Sequence, residues 1–371
     1  MSATVPPSIW SAIQALANQA PWPPRDHVQA GLFVEEARVH ALLPLLFEEA
    51  DLPAVVVDVL AEMRAAQFIY RARKTIFDRV LEHATLAAGT EPFMVFKGGE
   101  YRYRLYPSPE FRPSQDIDVL VPLKALPEMA RRFDAAGFTR FYSDAARHLA
   151  QYPELEYEVE GILVEIHTSL NYRLRVPIDY DCVWNRKVAL AFPGGTTFRP
   201  LESDALLFHA VNMAKDEFSS PLLRYVDLWL MLRDDSSVLA AVVADARRWQ
   251  AQRAVYGMLK LGSLLMPELE SNESVKEALT SLLTPREKLG LDHFVLPDPR
   301  QERAGHHTGR ARQLWRKLWL IDSPWRRAGY LGYHIYAKAA GKVLSLRDRR
   351  LAAPHRIHPT GVIETRPAKD R

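Results

Sequence analysis

The stretch FKGGEYRYRLYPSPEFRPSQDIDVLV, Phe96 to Val121, holds two adjacent glycines, Gly98 and Gly99, an arginine, Arg112, and two aspartates one residue apart, Asp116 and Asp118. The preceding PFMVFK is short, apolar and bounded by Pro92 and Gly98, the pattern of a buried strand. Residues from Gly99 to Leu105 suit a helix or helical turn, and SQDIDVLV, alternating and rich in β-branched residues, predicts the next strand. Residues two apart on a strand face the same side, so Asp116 and Asp118 project together while Ile117 and Val119 face the other way. Two carboxylates this close repel each other unless a cation lies between them. Mg2+ (or Mn2+) is the expected cofactor, because it favours hard oxygen ligands shared between carboxylates and phosphates. Glycines at a strand-to-helix turn let the backbone approach phosphate oxygens, which gives Gly98 and Gly99 a phosphate-binding expectation.

Working outward, LKALPEMARRFDAAG predicts a helix closed by Gly137, and ELEYEVEG with ILVEIHTSL predicts a hairpin pivoting at Gly161. Glu165 interrupts the second of these strands and shares a face with Leu163 and His167, so it is the expected third carboxylate. Glu158 and Glu160 are weaker candidates for that role, because their strand alternates cleanly, which suggests a solvated face. His167, on an apolar strand, reads as a hydrogen-bonded core histidine, with a ligand as the alternative. Lys97 either snorkels from the strand end or meets a phosphate; Arg112 either meets a phosphate or pairs with Asp116 or Asp118 to orient it. Asp227, an acid in the apolar run RYVDLWLML, is expected to be buried against an arginine such as Arg224 for structure, with a place facing the cleft as the alternative.

The flanks are helical. Val56, Leu60, Met63, Tyr70, Phe77 and Leu81 recur at helical spacing, and HVQAGLFVEEARVHALLPLLFEEA predicts an earlier helix interrupted near Pro44. Beyond Leu201, ESDALLFHAVNMAKDEF, PLLRYVDLWLMLRD and SSVLAAVVADARRWQAQRAVYGMLKLGSLL each repeat apolar residues three and four apart. The predicted fold class is α+β, a small mixed sheet between helical regions. Residues 1–90 form an N-terminal helical region, 91–200 the α/β core, 201–300 a helical domain, and 301–371 a basic, aromatic-rich helical tail with a flexible end.

The 371 residues have a formal net charge of +3 that is unevenly spread: residues 301–371 sum to +11 and the remainder to −8. The tail interleaves Trp315, Trp319 and Trp325 with arginine and lysine, which suits an amphipathic helix docked on the domain, with contact to nucleic acid or an anionic membrane as the alternatives. A single cysteine, Cys182, rules out an intrachain disulfide framework and a Cys-rich zinc site. No uncharged apolar run is long enough for a membrane span and the N-terminus does not read as a signal peptide, so the expected location is cytoplasmic.

FKGG, a spacer ending in RPSQDIDVLV, and then VEIHTSL together resemble the DNA-polymerase-β-like nucleotidyltransferase superfamily, and within it the bacterial uncharacterised nucleotidyltransferase group. The resemblance spans about residues 35 to 270. Where that group tends to have two histidines in the first helix after the sheet, this chain has Asn212 and Asp216, with His209 one turn earlier. The resemblance implies transfer of a nucleoside monophosphate from an NTP to an acceptor hydroxyl of a small molecule, a peptide or protein, or an RNA end, with release of pyrophosphate. It implies that Asp116, Asp118 and Glu165 are catalytic and hold the metal, and that Lys97, Gly98, Gly99 and Arg112 bind the nucleotide. Two other readings of the DxD compete with it: a glycosyltransferase using a nucleotide sugar, and a catalytically inactive nucleotide-binding protein with a nucleic-acid- or membrane-binding tail.

Overall fold

A computed structural model of the chain describes residues 26–46, 60–141, 154–170, 176–233, 235–296 and 310–332. Helices α1 (His27–Val39), α2 (Leu43–Leu46) and α3 (Leu60–Ala88) come first. The break expected near Pro44 falls at residues 40–42, with Ala41 in the left-handed region at φ 57°. Pro44 then sits in the first turn of α2, where a missing N–H costs nothing.

The sheet begins with β1 (Met94–Val95), which leads directly into α4 (Gly98–Arg104). Then come β2 (Asp116–Leu120), α5 (Leu126–Ala135), β3 (Thr139–Arg140), β4 (Glu154–Val159) and β5 (Ile162–His167). The β4–β5 hairpin turns through Glu160 at φ 52° and Gly161 at φ 74°, two positive values in succession, as the tightest hairpins require. A further helix, α6 (Tyr180–Asn185), precedes a second hairpin, β6 (Val188–Phe192) and β7 (Gly195–Arg199).

That second hairpin was not among the sequence expectations. β7 pairs parallel with β1 and extends the sheet to seven strands in the order β3-β4-β5-β2-β1-β7-β6. β2 and β5 are also parallel, and the remaining neighbours run antiparallel. The fold is α+β around a mixed sheet larger than expected.

After the sheet come α7 (Glu202–Lys215), α8 (Leu222–Arg233), α9 (Val238–Arg248), α10 (Gln252–Leu265), α11 (Pro267–Ser271), α12 (Glu273–Leu282), α13 (Pro285–Phe294), α14 (Arg310–Trp319) and α15 (324–332). The continuous apolar run from Val238 to Leu265 is two helices. The chain reverses at residues 249–251 with Gln250 at φ 55°, so that Trp249 and Ala251 are buried between them.

The two faces of the sheet differ. On the back, Val95, Ile117, Val119, Val164, Ile166, Leu155 and Tyr157 pack against Phe77, Val80, Leu81 and Ala84 of α3 and against Met129 and Phe133 of α5. On the front, Met94 and Leu120 join an apolar cluster that runs from Phe33 in α1 through α7–α10 to Leu320. The remaining front-face positions of β2, β4 and β5 are mostly acidic.

The described part of the basic tail is docked. Leu320 and Ile321 are buried, the Trp319 carbonyl accepts from Arg253 Nη1 at 2.9 Å, and Asp322 accepts from the Gln252 and Arg253 amides at 2.7 and 3.2 Å. Asp322 thereby satisfies free N–H groups at the start of α10. Residues 333–371, including the expected flexible end, lie outside the described residues. Among the described residues, no helix is long and apolar enough to cross a membrane.

Candidate functional site

Strand register assembles the site. In the parallel β2–β5 pair Asp118 lies opposite Glu165, Asp116 opposite Leu163 and Leu120 opposite His167. In the antiparallel β4–β5 pair Glu154 lies opposite His167 and Glu156 opposite Glu165. Side chains directly opposite one another share a face, so six carboxylates, with the exposed Glu158 opposite Leu163 among them, and one imidazole gather on the front of three adjacent strands.

Two cations converge on them. Lys97 Nζ donates to Asp118 Oδ1 in a close ion pair, and His167 Nε2 stands 2.8 Å from the same oxygen. His167 Nε2 is also 3.2 Å from Glu165 Oε2, and Nδ1 is 3.2 Å from Glu154 Oε2. Burial opposes the charge of Asp118, but Lys97 and His167 outweigh it and hold its carboxyl well below the usual range. Burial and the Lys97 charge work against a proton on His167, yet Asp118, Glu154 and Glu165 stabilise it and raise the pKa to about 10. Asp116 lacks such a partner. Burial, then Asp118 and Glu165, push it up to about 6, with only the Ser114 hydroxyl donating to Oδ1 at 3.2 Å. Glu156 is pushed up to about 7 by burial and by the charges of Glu165 and Glu154.

The turn from β1 into α4 passes through Lys97 at φ 54°, ψ −137°, a conformation suited to glycine. A side chain held there costs on the order of 1 kcal/mol or more. The ammonium–Asp118 contact is what the lysine gains at that position. Gly98 and Gly99 open α4, and both lack room for a side chain. A Cβ on Gly98 would meet Arg112 Nη1 at 2.6 Å and Ser114 Oγ at 2.8 Å; one on Gly99 would meet Val95 Cγ1 at 2.9 Å. The glycines therefore bring the segment before Asp116 against the start of α4.

Arg112 has a different position from the two considered in the sequence. Its Nε and Nη2 donate to Asp227 at 3.2 and 2.7 Å, and Nη1 donates to the Pro113 carbonyl at 2.9 Å. Neither Asp116 nor Asp118 is its partner. Asp227 is fully buried, as expected, but its arginine is Arg112, while Arg224 pairs with Asp216 at 2.7 Å. Tyr106 completes the group by donating its hydroxyl to Asp227 at 2.8 Å.

Asp118, Glu165 and His167 each offer a donor atom, and the three atoms lie within 4.8 Å of one another. Asp116 is on the same face, one register step away and outside that group. The donor set fits a divalent cation: hard carboxylate oxygens, one imidazole, and more carboxylates than cations on the face. Sequence reasoning missed Glu154 and Glu156. Their signal was present in the alternation of ELEYEV, whose even-numbered positions lie opposite Leu163, Glu165 and His167 once the hairpin is closed.

A family model described as an uncharacterised nucleotidyltransferase matches residues 26–267, from α1 to the start of α11. No curated protein matches the chain.

Proposed function

The chain belongs to the family of uncharacterised nucleotidyltransferases, and from that premise we propose that it moves a nucleoside monophosphate from an NTP to an acceptor hydroxyl. The acceptor oxygen bonds to the α-phosphorus, the bond from that phosphorus to the bridging oxygen breaks, and pyrophosphate leaves with the electron pair. Family membership favours this reading of the DxD over the glycosyltransferase one. The observation that supports the proposal best is the parallel β2–β5 register, which sets Glu165 against Asp118 beside the Lys97–Gly98–Gly99 turn.

Asp116, Asp118 and Glu165 would hold the divalent cation. When bound, that cation neutralises phosphate charge and makes the acceptor hydroxyl more acidic. Glu165, partly open to solvent, takes the acceptor proton. Lys97, freed from part of its pairing with Asp118, turns toward the phosphates, and backbone N–H groups at the Gly98–Gly99 turn hold the triphosphate. Arg112 acts at one remove, by holding the segment that leads into Asp116 against Gly98. The reading goes with a cytoplasmic location, where NTPs are supplied.

The test is pyrophosphate release from each of the four NTPs with Mg2+ or Mn2+ and cell extract as acceptor, comparing the wild type with the Asp116→Asn, Asp118→Asn double variant. Release that requires both metal and aspartates supports the proposal. Release that persists in a folded double variant, or no release from any NTP, counts against it.

A further inference from the structure

His167 ends β5 at 2 % exposure, and its ring is fixed on several sides. Phe96 meets it edge-on with centroids 5.2 Å apart, and Glu154 Oε2 stands at Nδ1. On the other edge Nε2 faces two carboxylate oxygens at once, Asp118 Oδ1 at 2.8 Å and Glu165 Oε2 at 3.2 Å. A ring nitrogen has at most one hydrogen, so it cannot give both oxygens a full hydrogen bond. A metal ion in place of that hydrogen would bind all three atoms.

The distances agree with this. Donors about 2.1–2.2 Å from a common ion and at right angles to each other are about 3.0 Å apart, and the two separations to Nε2 bracket that value. The far side of the ring agrees as well. A histidine that binds metal through one nitrogen nearly always presents the other to a carboxylate or carbonyl, which fixes the tautomer and the ring plane. Glu154 Oε2 stands 3.2 Å from Nδ1, brought there by the β4–β5 register, though off the line of a formed hydrogen bond, so that a small turn of the ring or carboxylate on metal binding would complete it.

We propose that His167 binds the divalent cation through Nε2 alongside Asp118 and Glu165, with Glu154 as its positioning residue, and that the site consequently favours Mn2+ over Mg2+. Mg2+ takes oxygen donors and keeps its water, whereas imidazole adds affinity for first-row transition ions, of which Mn2+ is the most oxygen-tolerant. The inference deepens the nucleotidyltransferase reading and rests on it for the reaction, but ion binding is measurable without any reaction.

Mn2+ is the probe. The unmodified full chain is loaded with Mn2+, alone and with a non-hydrolysable NTP analogue, and examined by electron spin-echo modulation after growth with ordinary or 15N-labelled histidine. The expected result is a directly bound nitrogen whose signal changes with the histidine label, which needs no variant to fold. His167→Gln removes that signal and weakens Mn2+ binding far more than Mg2+ binding. Glu154→Gln keeps the signal but weakens Mn2+ on the order of 10-fold. Bound Mn2+ without histidine nitrogen, a signal unchanged in His167→Gln, or no bound Mn2+ in either state overturns the inference. Mg2+-supported nucleotidyl transfer with nitrogen-free Mn2+ would sink the inference and leave the reaction standing. Nitrogen-bound Mn2+ without any transfer would do the reverse.

Discussion

Asp227→Ala should lower folding stability by about 3–5 kcal/mol, the usual cost of removing one member of a buried ion pair. Asp227 is fully buried in α8, and Arg112, with 11 % of its side chain exposed, gives it two hydrogen bonds. Alanine would leave a guanidinium charge with no carboxylate and the Tyr106 hydroxyl with no acceptor. Against a total stability of about 5–15 kcal/mol the loss is large, and it corresponds to a fall in Tm of roughly 10 °C for a domain of this size. Urea unfolding at pH 7, followed by circular dichroism, measures it. The double variant Arg112→Met, Asp227→Leu removes both charges and should recover much of the loss, because the pair matters chiefly through the charge left behind when one partner goes. A loss below about 1 kcal/mol in Asp227→Ala would refute the structural role given to Arg112. So would unchanged stability in Arg112→Met with weakened NTP binding, which would return Arg112 to the phosphates.

Three further outcomes follow from the packing. Gly98→Ala places a methyl group 2.6 Å from Arg112 Nη1 and should cost about 1–3 kcal/mol, read as a lower Tm; an unchanged Tm would mean that the glycine is not needed for this close approach. His209 is buried with Nε2 against the Arg224 carbonyl at 2.8 Å, and burial lowers its pKa to about 4. The unfolded chain therefore binds the extra proton first, and stability falls as pH drops from about 6.5 toward 4. The wild type should lose about 2 kcal/mol more than His209→Gln between pH 7 and pH 5 in urea titrations, and parallel curves would contradict this. Asp322→Ala removes the acceptor for two amides at the start of α10 and should cost about 1 kcal/mol while exposing 310–332 to limited proteolysis; an unchanged cleavage pattern would argue against its role in docking the tail.

The core of the fold was legible because its signals are local. Ile117 and Val119 between Asp116 and Asp118 announce a strand with two chemically different faces, and β2 has them. Gly161 announced the β4–β5 hairpin, and with it the side of β5 on which Glu165 stands. The second hairpin left a weaker trace in VALAFPGGTTFR: two β-prone runs around Pro-Gly-Gly, next to an otherwise helical stretch. Arg112 shows the limit of reading by proximity. It stands four residues before Asp116, yet its partner Asp227 lies more than a hundred residues away, brought in by the packing of α8 on the front of the sheet. Glu154 and Glu156 were hidden for a related reason. Alternation says that they share a face, but only pairing with β5 says whether that face meets solvent or His167.

The charge balance on the front face connects the fold with its chemistry. Asp116, Asp118, Glu154, Glu156 and Glu165 share that face, and Lys97 and His167 are the cations paired with them among the described residues. Both cations approach Asp118, so its charge is well compensated while Asp116 and Glu156 hold protons more readily than free carboxylates do. An ordinary folding core would not retain such an excess, because burying like charges together costs stability without improving packing. A divalent cation held by Asp118, Glu165 and His167 Nε2 would displace the His167 proton and so relieve the imbalance by one net positive charge, where the donor atoms already lie close together. Lys97 would then be less tightly committed to Asp118 at the moment an anionic triphosphate approaches the Gly98 turn. Cation and nucleotide binding would in this way favour each other through a single side chain, and the strained backbone at Lys97 marks where that side chain is required.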